Sequence, residues 1–486
     1  MACNDNVSRR DFLTTATGSL AGGALLFGGS ARAEPAGPLR AGAAAVDITP
    51  GPDVSLDGYV MKIGPAKSVH DKLHARCLVL DNGSQRVAIV VSDLTTILRK
   101  VFDRAKELAH RRTGLPTDHM MMSATHTHSA PRIGIGQGEA DKRYFELLAE
   151  GMAESVSRAI DNLAPARVGW GVGQKPELVH NRRWLMKPGT VLTDPFGGTG
   201  DRVKMNPRRG GPNRLKPAGP VDPDVSFLSV QHADGRPLAL LANFGIHYCG
   251  GFKRGEVSAD YFGMFAERIG QLLGAGDVKP PFVGIMSNGT SGDISNGFSF
   301  REPAPRKPPY TWMREVADML ADEVYRVFKT VDHRDRVSLA MREKQIELGV
   351  RRPDKARLAW AKEVLSNTQK KRRRAEIYAH EAILLGKYPP TVRIKLQALR
   401  VGELGIGAIP CEVFAATGLA IKKASPLRPT FVIELANGYH GYLPTPEQHK
   451  LGGYETWPAR SSCLEVEAAT KIRATVLDLL SQVSKV

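Results

Sequence analysis

A chain of 486 residues, 42% hydrophobic and 24% charged, carries enough apolar sequence for a sizeable core and lies outside the disordered and low-complexity classes. Its formal charge of +17 suits anionic headgroups, polyanions or acidic substrates, but no nucleic-acid-binding motif accompanies it, which sets nucleic acid aside. No segment of the mature chain is long and apolar enough to span a bilayer.

The N-terminus carries the first strong signal. Ser8-Arg9-Arg10-Asp11-Phe12-Leu13 is a twin-arginine export pattern, followed by a weakly apolar stretch and a small-x-small cleavage site at Ala31-Arg32-Ala33. Residues 1–33 therefore read as a signal peptide and residues 34–486 as the mature protein, expected in the periplasm or secreted. Export by this route moves folded proteins, so a metal can be loaded before translocation. Cys77, Cys249, Cys411 and Cys463 remain after cleavage, scattered without the spacing of a disulfide framework or a zinc finger. Cys249 and Cys411 flank candidate site residues and are open to three readings: a disulfide, a pair of ligands, or inert buried thiols.

Further along, 87–91 reads as a strand after an Asn82-Gly83 turn and 101–112 as a helix. Tyr144, Leu148, Met152, Val156 and Ile160 recur every four residues, and Met313, Val316, Leu320, Val324 and Phe328 every three or four, which marks two helices with one buried face each. The alternation predicts one large α/β domain, with mixed β-sheets flanked by helices. Two stretches interrupt it. Residues 186–220 are rich in Gly, Pro, Lys and Arg and read as a long surface loop. Residues 353–385 read as a basic helical insertion around Lys370-Lys371-Arg372-Arg373-Arg374, a solvated face or a contact for an anionic membrane or polymer.

The polar clusters fall in equivalent places. Apolar runs ending near 124, 244, 286, 409 and 435 each empty into a loop loaded with ligand-type residues: His126-Thr127-His128, His247, Asn288 to Asp293, Glu412, and Asn437 to Tyr442. In open α/β sheets, sites form beyond the carboxyl ends of strands, so five such loops can converge on one pocket. Residues two apart in an extended segment share a face, which would aim His126 and His128 together, either as two ligands or as a ligand and its neighbour. Two histidines and a carboxylate with a position left for water is the catalytic zinc arrangement. The residues alone thus give a His/His/Glu zinc site of unspecified reaction.

At this point the motifs resemble those of the neutral/alkaline (non-lysosomal) ceramidase family. Ala44-Ala45-Val46-Asp47-Ile48-Thr49-Pro50 resembles its opening motif, and His70 through Asp93 its following strand pair. Ser123-Ala124-Thr125-His126-Thr127-His128-Ser129-Ala130-Pro131 resembles its THTHSGP segment, with Ala130 in place of Gly. Ser258-Ala259-Asp260-Tyr261-Phe262-Gly263, Asn288 to Asn296, and Tyr442 to Glu455 resemble three further motifs, in family order. The resemblance implies one zinc ion per chain, held by His126, His247, Glu412 and Tyr442. It also implies proton transfer by His128 and oxyanion stabilisation by Tyr454 and Arg182. Tyr454 keeps the family's spacing of twelve from the ligand tyrosine, which favours Tyr442 over Tyr439. The implied reaction is cleavage of an N-acyl bond by attack of metal-bound water.

Ser295 stands as a rival nucleophile. The segment Gly292-Asp293-Ile294-Ser295-Asn296 lacks the family's proline, and no Gly-x-Ser-x-Gly elbow surrounds Ser291. The C-terminal β-sandwich of full-length ceramidases is expected to be absent. With the two basic stretches, that absence leaves the substrate open between ceramide or a related N-acyl lipid and a smaller periplasmic amide or ester. A binding protein with a vestigial metal site is the reading from another class.

Overall fold

The computed structural model describes residues 37–52, 54–56, 64–131, 139–208, 210–295, 307–367 and 374–486. The signal-peptide reading, Asn296 and the centre of the basic run at 370–373 lie outside them. Residues from Ala36 to Val486 form one compact unit.

Eight strands build the first sheet: β1 (Arg40–Asp47), β2 (His74–Asp81), β3 (Arg86–Ser92), β4 (Met120–Ala124), β5 (Ala164–Gln174), β6 (Asp224–His232), β7 (Pro237–Phe244) and β8 (Val283–Asn288). Their order is β8-β7-β6-β5-β1-β2-β3-β4. Pairing is antiparallel through the middle and parallel at both edges, β7 with β8 and β3 with β4. A four-stranded sheet follows, β9 (Leu339–Gly349), β10 (Thr391–Val401), β11 (Leu404–Ile409) and β12 (Thr430–Glu434), with β11 and β12 parallel. This is the mixed α/β architecture that the sequence pattern predicts.

Period-two alternation decides the layering. On β2 and β3, Leu78, Leu80, Val87, Ile89 and Val91 point to one face and meet Leu399, Val401, Ile406 and Phe431 of the second sheet in one core. Cys77, Val79, Ala88 and Val90 point the other way, into a core closed by helices α1 (Arg99–Thr113) and α2 (Glu139–Asp161). Further along that face, Phe227, Leu240 and Ala242 pack against α3 (Asp260–Leu272) and α4 (Thr311–Phe328). The far side of the second sheet is covered by the C-terminal helix Ala468–Ser484, through Ile472, Val476 and Leu480. Helices, sheet, sheet and helix therefore stack in four layers, and strands buried on both faces read as near-continuous apolar runs.

The parallel pairs position the site. Each needs a crossover: α1 lies between β3 and β4, α3 between β7 and β8, and the helix Ala415–Ala424 between β11 and β12. Five carboxyl ends, those of β4, β7, β8, β11 and β12, thus run into the loops that hold the candidate residues.

Two sequence expectations are corrected. Residues 186–220 are not one long loop, because Arg183–Met186, Val203–Met205 and Arg214–Pro217 form a three-stranded antiparallel sheet with Arg183–Met186 in the middle. Its short strands carry Lys and Arg at alternate positions, which masked their period. The disulfide reading at Cys249 and Cys411 is also set aside, since no disulfide joins the described cysteines, all of which are buried. The 353–385 segment contains a helical hairpin, Lys355–Ser366 and Arg374–Leu385.

Candidate metal centre

His126 lies two residues beyond β4. Its backbone is held by hydrogen bonds from Thr125 N to Ser92 O (3.0 Å) and from His126 N to Leu94 O (2.9 Å). His126 has φ 75°, a left-handed conformation that a non-glycine residue adopts at a cost of about 1–3 kcal/mol. The extended His-x-His geometry expected from the sequence is therefore replaced by a turn. It still brings His128 Nε2 to 3.3 Å from His126 Nε2. Two threonines fix the turn: Thr95 Oγ1 donates to Thr127 O, and Thr127 Oγ1 to Ser258 O, both at 2.7 Å.

His247, beyond β7, places its Nε2 3.1 Å from that of His126. Glu412, beyond β11, places Oε2 3.5 Å from His126 Nε2 and 3.6 Å from His247 Nε2. All three residues are at most 4% exposed. Nδ1 of His126 faces Thr95 O (2.8 Å) and Nδ1 of His247 faces Ser291 O (3.3 Å). A carbonyl only accepts, so both Nδ1 atoms carry the proton and both Nε2 atoms present lone pairs. Glu412 Oε2 is buried without a hydrogen-bond partner. With both rings neutral, three acceptors therefore converge with no donor among them, an arrangement that calls for a cation or a proton between them. Their separations match the edge of about 3.3 Å of a tetrahedron with ~2.0–2.1 Å arms, the zinc geometry. Burial resists charge on both rings, but the Glu412 carboxylate outweighs it at His126, whose pKa is raised. At His247 burial and the Arg182 charge together hold the ring neutral.

Tyr442 is set beside Glu412 by a two-residue parallel ladder that pairs them directly. Its ring lies parallel to that of His247, with centroids 6.4 Å apart. Burial, then the Glu412 charge, push its hydroxyl pKa well above the usual phenol value. His126, His128 and His247 also form a group in which one ring nitrogen of each lies within 4.8 Å of the others. His128 thus stands at the same centre, its half-buried ring stacked on Tyr248 at 3.7 Å.

Arg182 and Tyr454 reach the same region. The Arg182 guanidinium lies 5.3 Å from the Tyr442 ring centre, and the Tyr442 and Tyr454 rings are 5.8 Å apart. Arg182 Nε donates to Glu455 Oε1 at 2.8 Å, whereas its Nη2 is buried without a hydrogen bond. Arg183 closes the other side of the same carboxylate at 2.6 Å. Ser295 sits apart in kind: half-buried, it pairs through the backbone with His180 in a two-residue ladder.

Three residues at the centre escape sequence reading, and Tyr439 takes a role other than the ligand one weighed for it. Tyr248 stacks on His128, and Tyr439 donates from its hydroxyl to Glu412 Oε1 at 2.8 Å. Glu455 neutralises Arg182 and Arg183. Glu434, the last residue of β12, accepts from the Ser291 hydroxyl, from Ser291 N (3.2 Å) and from Val413 N (2.7 Å). A lone carboxylate ending the apolar run Thr430–Glu434 was its available signal. Gly292 allows these segments to meet, since a Cβ there would fall 2.4 Å from Glu412 O. Asp293 then ties both neighbours in, accepting from Ala415 N (2.9 Å) and Asn181 Nδ2 (2.7 Å). A cavity of about 330 Å³ lined by Lys72, Arg76, Glu267 and Arg314 shares none of the centre's residues. Its cations are already paired, Lys72 with Asp47, Arg76 with Asp93 and Arg314 with Glu267.

Comparison with known proteins gives a consistent picture. The family model described as neutral/alkaline non-lysosomal ceramidase, N-terminal, matches residues 39–299. The chain is 24% identical over 271 residues to neutral ceramidase A of Dictyostelium discoideum, covering 51% of this chain and 34% of that protein. It is 25% identical over 224 residues to the neutral ceramidase of Pseudomonas aeruginosa, covering 43% and 30%. The matched stretch thus spans about a third of the length of these curated relatives. The crystal structure of the Pseudomonas aeruginosa neutral ceramidase superposes with a TM-score of 0.67 at 19% identity, over 92% of this chain and 75% of that one. That likeness establishes the fold.

Proposed function

We propose that this chain, which belongs to the neutral/alkaline non-lysosomal ceramidase family, is a zinc-dependent hydrolase. Its substrate is an N-acyl amide, ceramide or a related N-acyl lipid, and its products are a fatty acid and an amine. The observation that carries the metal is the convergence of His126 Nε2, His247 Nε2 and Glu412 Oε2 within 3.1–3.6 Å without a donor. These residues and Tyr442 would hold the ion, which when bound lowers the pKa of water towards ~7 and polarises a carbonyl.

The remaining steps belong to side chains. His128, 3.3 Å from His126 and oriented by Tyr248, takes a proton from the attacking water and delivers it to the leaving amine. The unpaired Nη2 of Arg182 and the hydroxyl of Tyr454 are the donors for the developing oxyanion. Glu455 holds Arg182 in place. Tyr442 becomes an anionic ligand only beside a cation, since burial alone keeps its proton on. The export pattern at residues 8–13 supports action outside the cytoplasm. Replacing Arg9 and Arg10 by Lys and fractionating cells tests that: cytoplasmic retention is expected, and unchanged export overturns it.

Metal analysis combined with hydrolysis of an N-acylsphingosine panel, wild type against His126→Ala, tests the reading. About one zinc per chain and ceramide cleavage lost in the variant are expected. Zinc without ceramide cleavage, but with turnover of small amides or esters, replaces the lipid substrate. A metal-free wild type with activity surviving the variant overturns the zinc mechanism.

A further inference from the structure

We infer that the outward face of the small sheet formed by Arg183–Met186, Val203–Met205 and Arg214–Pro217, with the loop that precedes Val203–Met205, docks on the surface of an anionic lipid bilayer. Two independent features coincide there. The first is charge. Lys187, Arg202, Lys204 and Arg208 are exposed, and none forms an ion pair with a described carboxylate. The segment's two acids are engaged: Asp194 Oδ1 accepts from the backbone of Phe196 and Gly198, and Asp201 Oδ2 from the Trp457 indole at 2.9 Å.

The second feature is apolar. Val191 at 73% and Leu215 at 54% are the two most exposed large hydrophobic side chains among the described residues, and both lie in this segment. Trp184 pairs directly opposite Lys204, and Met186 opposite Arg214, so Trp184 and Lys204 share one face of the sheet. The Arg214 guanidinium stacks 3.6 Å above the half-buried Trp184 ring. A polyanion in water rewards the cations but leaves Val191 and Leu215 hydrated. A bilayer interface rewards both, since cations meet headgroups while Trp, Met, Leu and Val enter the boundary region.

Placement adds the functional sense. The first strand of this sheet follows Arg182 without interruption, so docking holds the segment that carries one candidate site residue against the lipid surface. The backbone is pinned for this by Arg202 N to Leu451 O (2.8 Å) and Asn206 N to Arg182 O (2.8 Å). The inference rests on the lipid-amide reading for its purpose only, and its test involves no turnover.

The full-length mature protein is mixed with sucrose-loaded vesicles of phosphatidylcholine alone, or with 30% phosphatidylglycerol, at low and high salt, and sedimented. Binding to the anionic vesicles alone, weakened by salt, is expected. Lys187, Lys204 and Arg208 changed together to Gln should weaken it about 100-fold, at roughly fivefold per cation. Val191→Ser with Leu215→Ser should lower binding at both salt concentrations. A control neutralising Arg111, Lys279 and Lys387 makes the same charge change elsewhere and should leave binding near wild type. Circular dichroism establishes that each variant is folded, and the surface Ser pair stands in for the cation variant if that one is not. Equal loss in control and patch variants, or binding to heparin without binding to vesicles, overturns the inference.

Discussion

The Nε2 atoms of His126 and His247 lie 3.1 Å apart, although each imidazole already spends its Nδ1 proton on a backbone carbonyl, Thr95 O or Ser291 O. Two lone pairs and the Glu412 carboxylate face one another at that distance only if a cation or a proton sits between them. Metal removal therefore exchanges one for the other. Chelation should lower the melting temperature most at high pH, where no proton replaces the ion, and zinc affinity should fall as pH drops, the fall beginning above the ordinary histidine range because Glu412 raises the His126 pKa. His247→Ala should abolish stoichiometric zinc and make melting insensitive to chelator. Calorimetric titration at two pH values, with metal analysis, checks both; pH-independent affinity speaks against the site.

Glu434 braces two ligand-bearing segments at once, through Ser291, whose carbonyl orients His247, and through Val413, next to Glu412. Gln keeps these contacts if the Ser291 hydroxyl turns to accept, whereas Ala leaves buried Ser291 and Val413 N–H groups unpaired. Glu434→Ala should weaken zinc binding 10–100-fold, the usual effect of losing support behind a ligand. It should also lower stability by about 2 kcal/mol. Glu434→Gln should stay within a few-fold of wild type. Equal loss in both variants would mean that the charge matters and the bracing does not.

Arg182 and Arg183 share Glu455, so the first can change while the second keeps the carboxylate paired. Arg182→Lys should leave zinc content intact and lower kcat on an N-acyl lipid by about 100-fold, as for loss of one oxyanion donor. Ser295→Ala should leave kcat within twofold. Loss of activity in the serine variant, with zinc retained, would restore the serine mechanism.

The layered fold was legible because strands buried on both faces give runs such as 87–91, and helices such as 144–160 give a four-residue recurrence. The convergence of five strand ends followed from the same runs. The turn at His126 was not legible, because its left-handed backbone is imposed by contacts from Ser92, Leu94 and Ser258, far along the chain. The three-stranded sheet was hidden because its alternation is between Lys or Arg and residues such as Val203, half of them facing solvent. Glu434 and Tyr439 act by supporting other side chains, and such roles appear only when distant segments are seen in contact.

Lys106 on α1 is 1% exposed and donates to Asn437 Oδ1 at 2.7 Å. Asn437 also donates to Gln397 and opens the loop that carries Tyr439 and Tyr442. Burial, then the nearby Lys395 charge, lower the lysine pKa from 10.5 to about 7, against the pull of Glu343, Asp103 and Asp118. The unfolded chain therefore holds this proton up to about pH 10, while the folded chain releases it near pH 7. Between those values unfolding takes up a proton, so this residue's contribution to stability rises with pH. Urea unfolding at pH 7, 8.5 and 10 should show the rise in wild type, and Lys106→Met should flatten it. Met also leaves Asn437 Oδ1 without its donor, which costs about 1–3 kcal/mol, so the slope with pH is the diagnostic and the absolute stability is not. An identical slope in the variant would place the titrating group elsewhere.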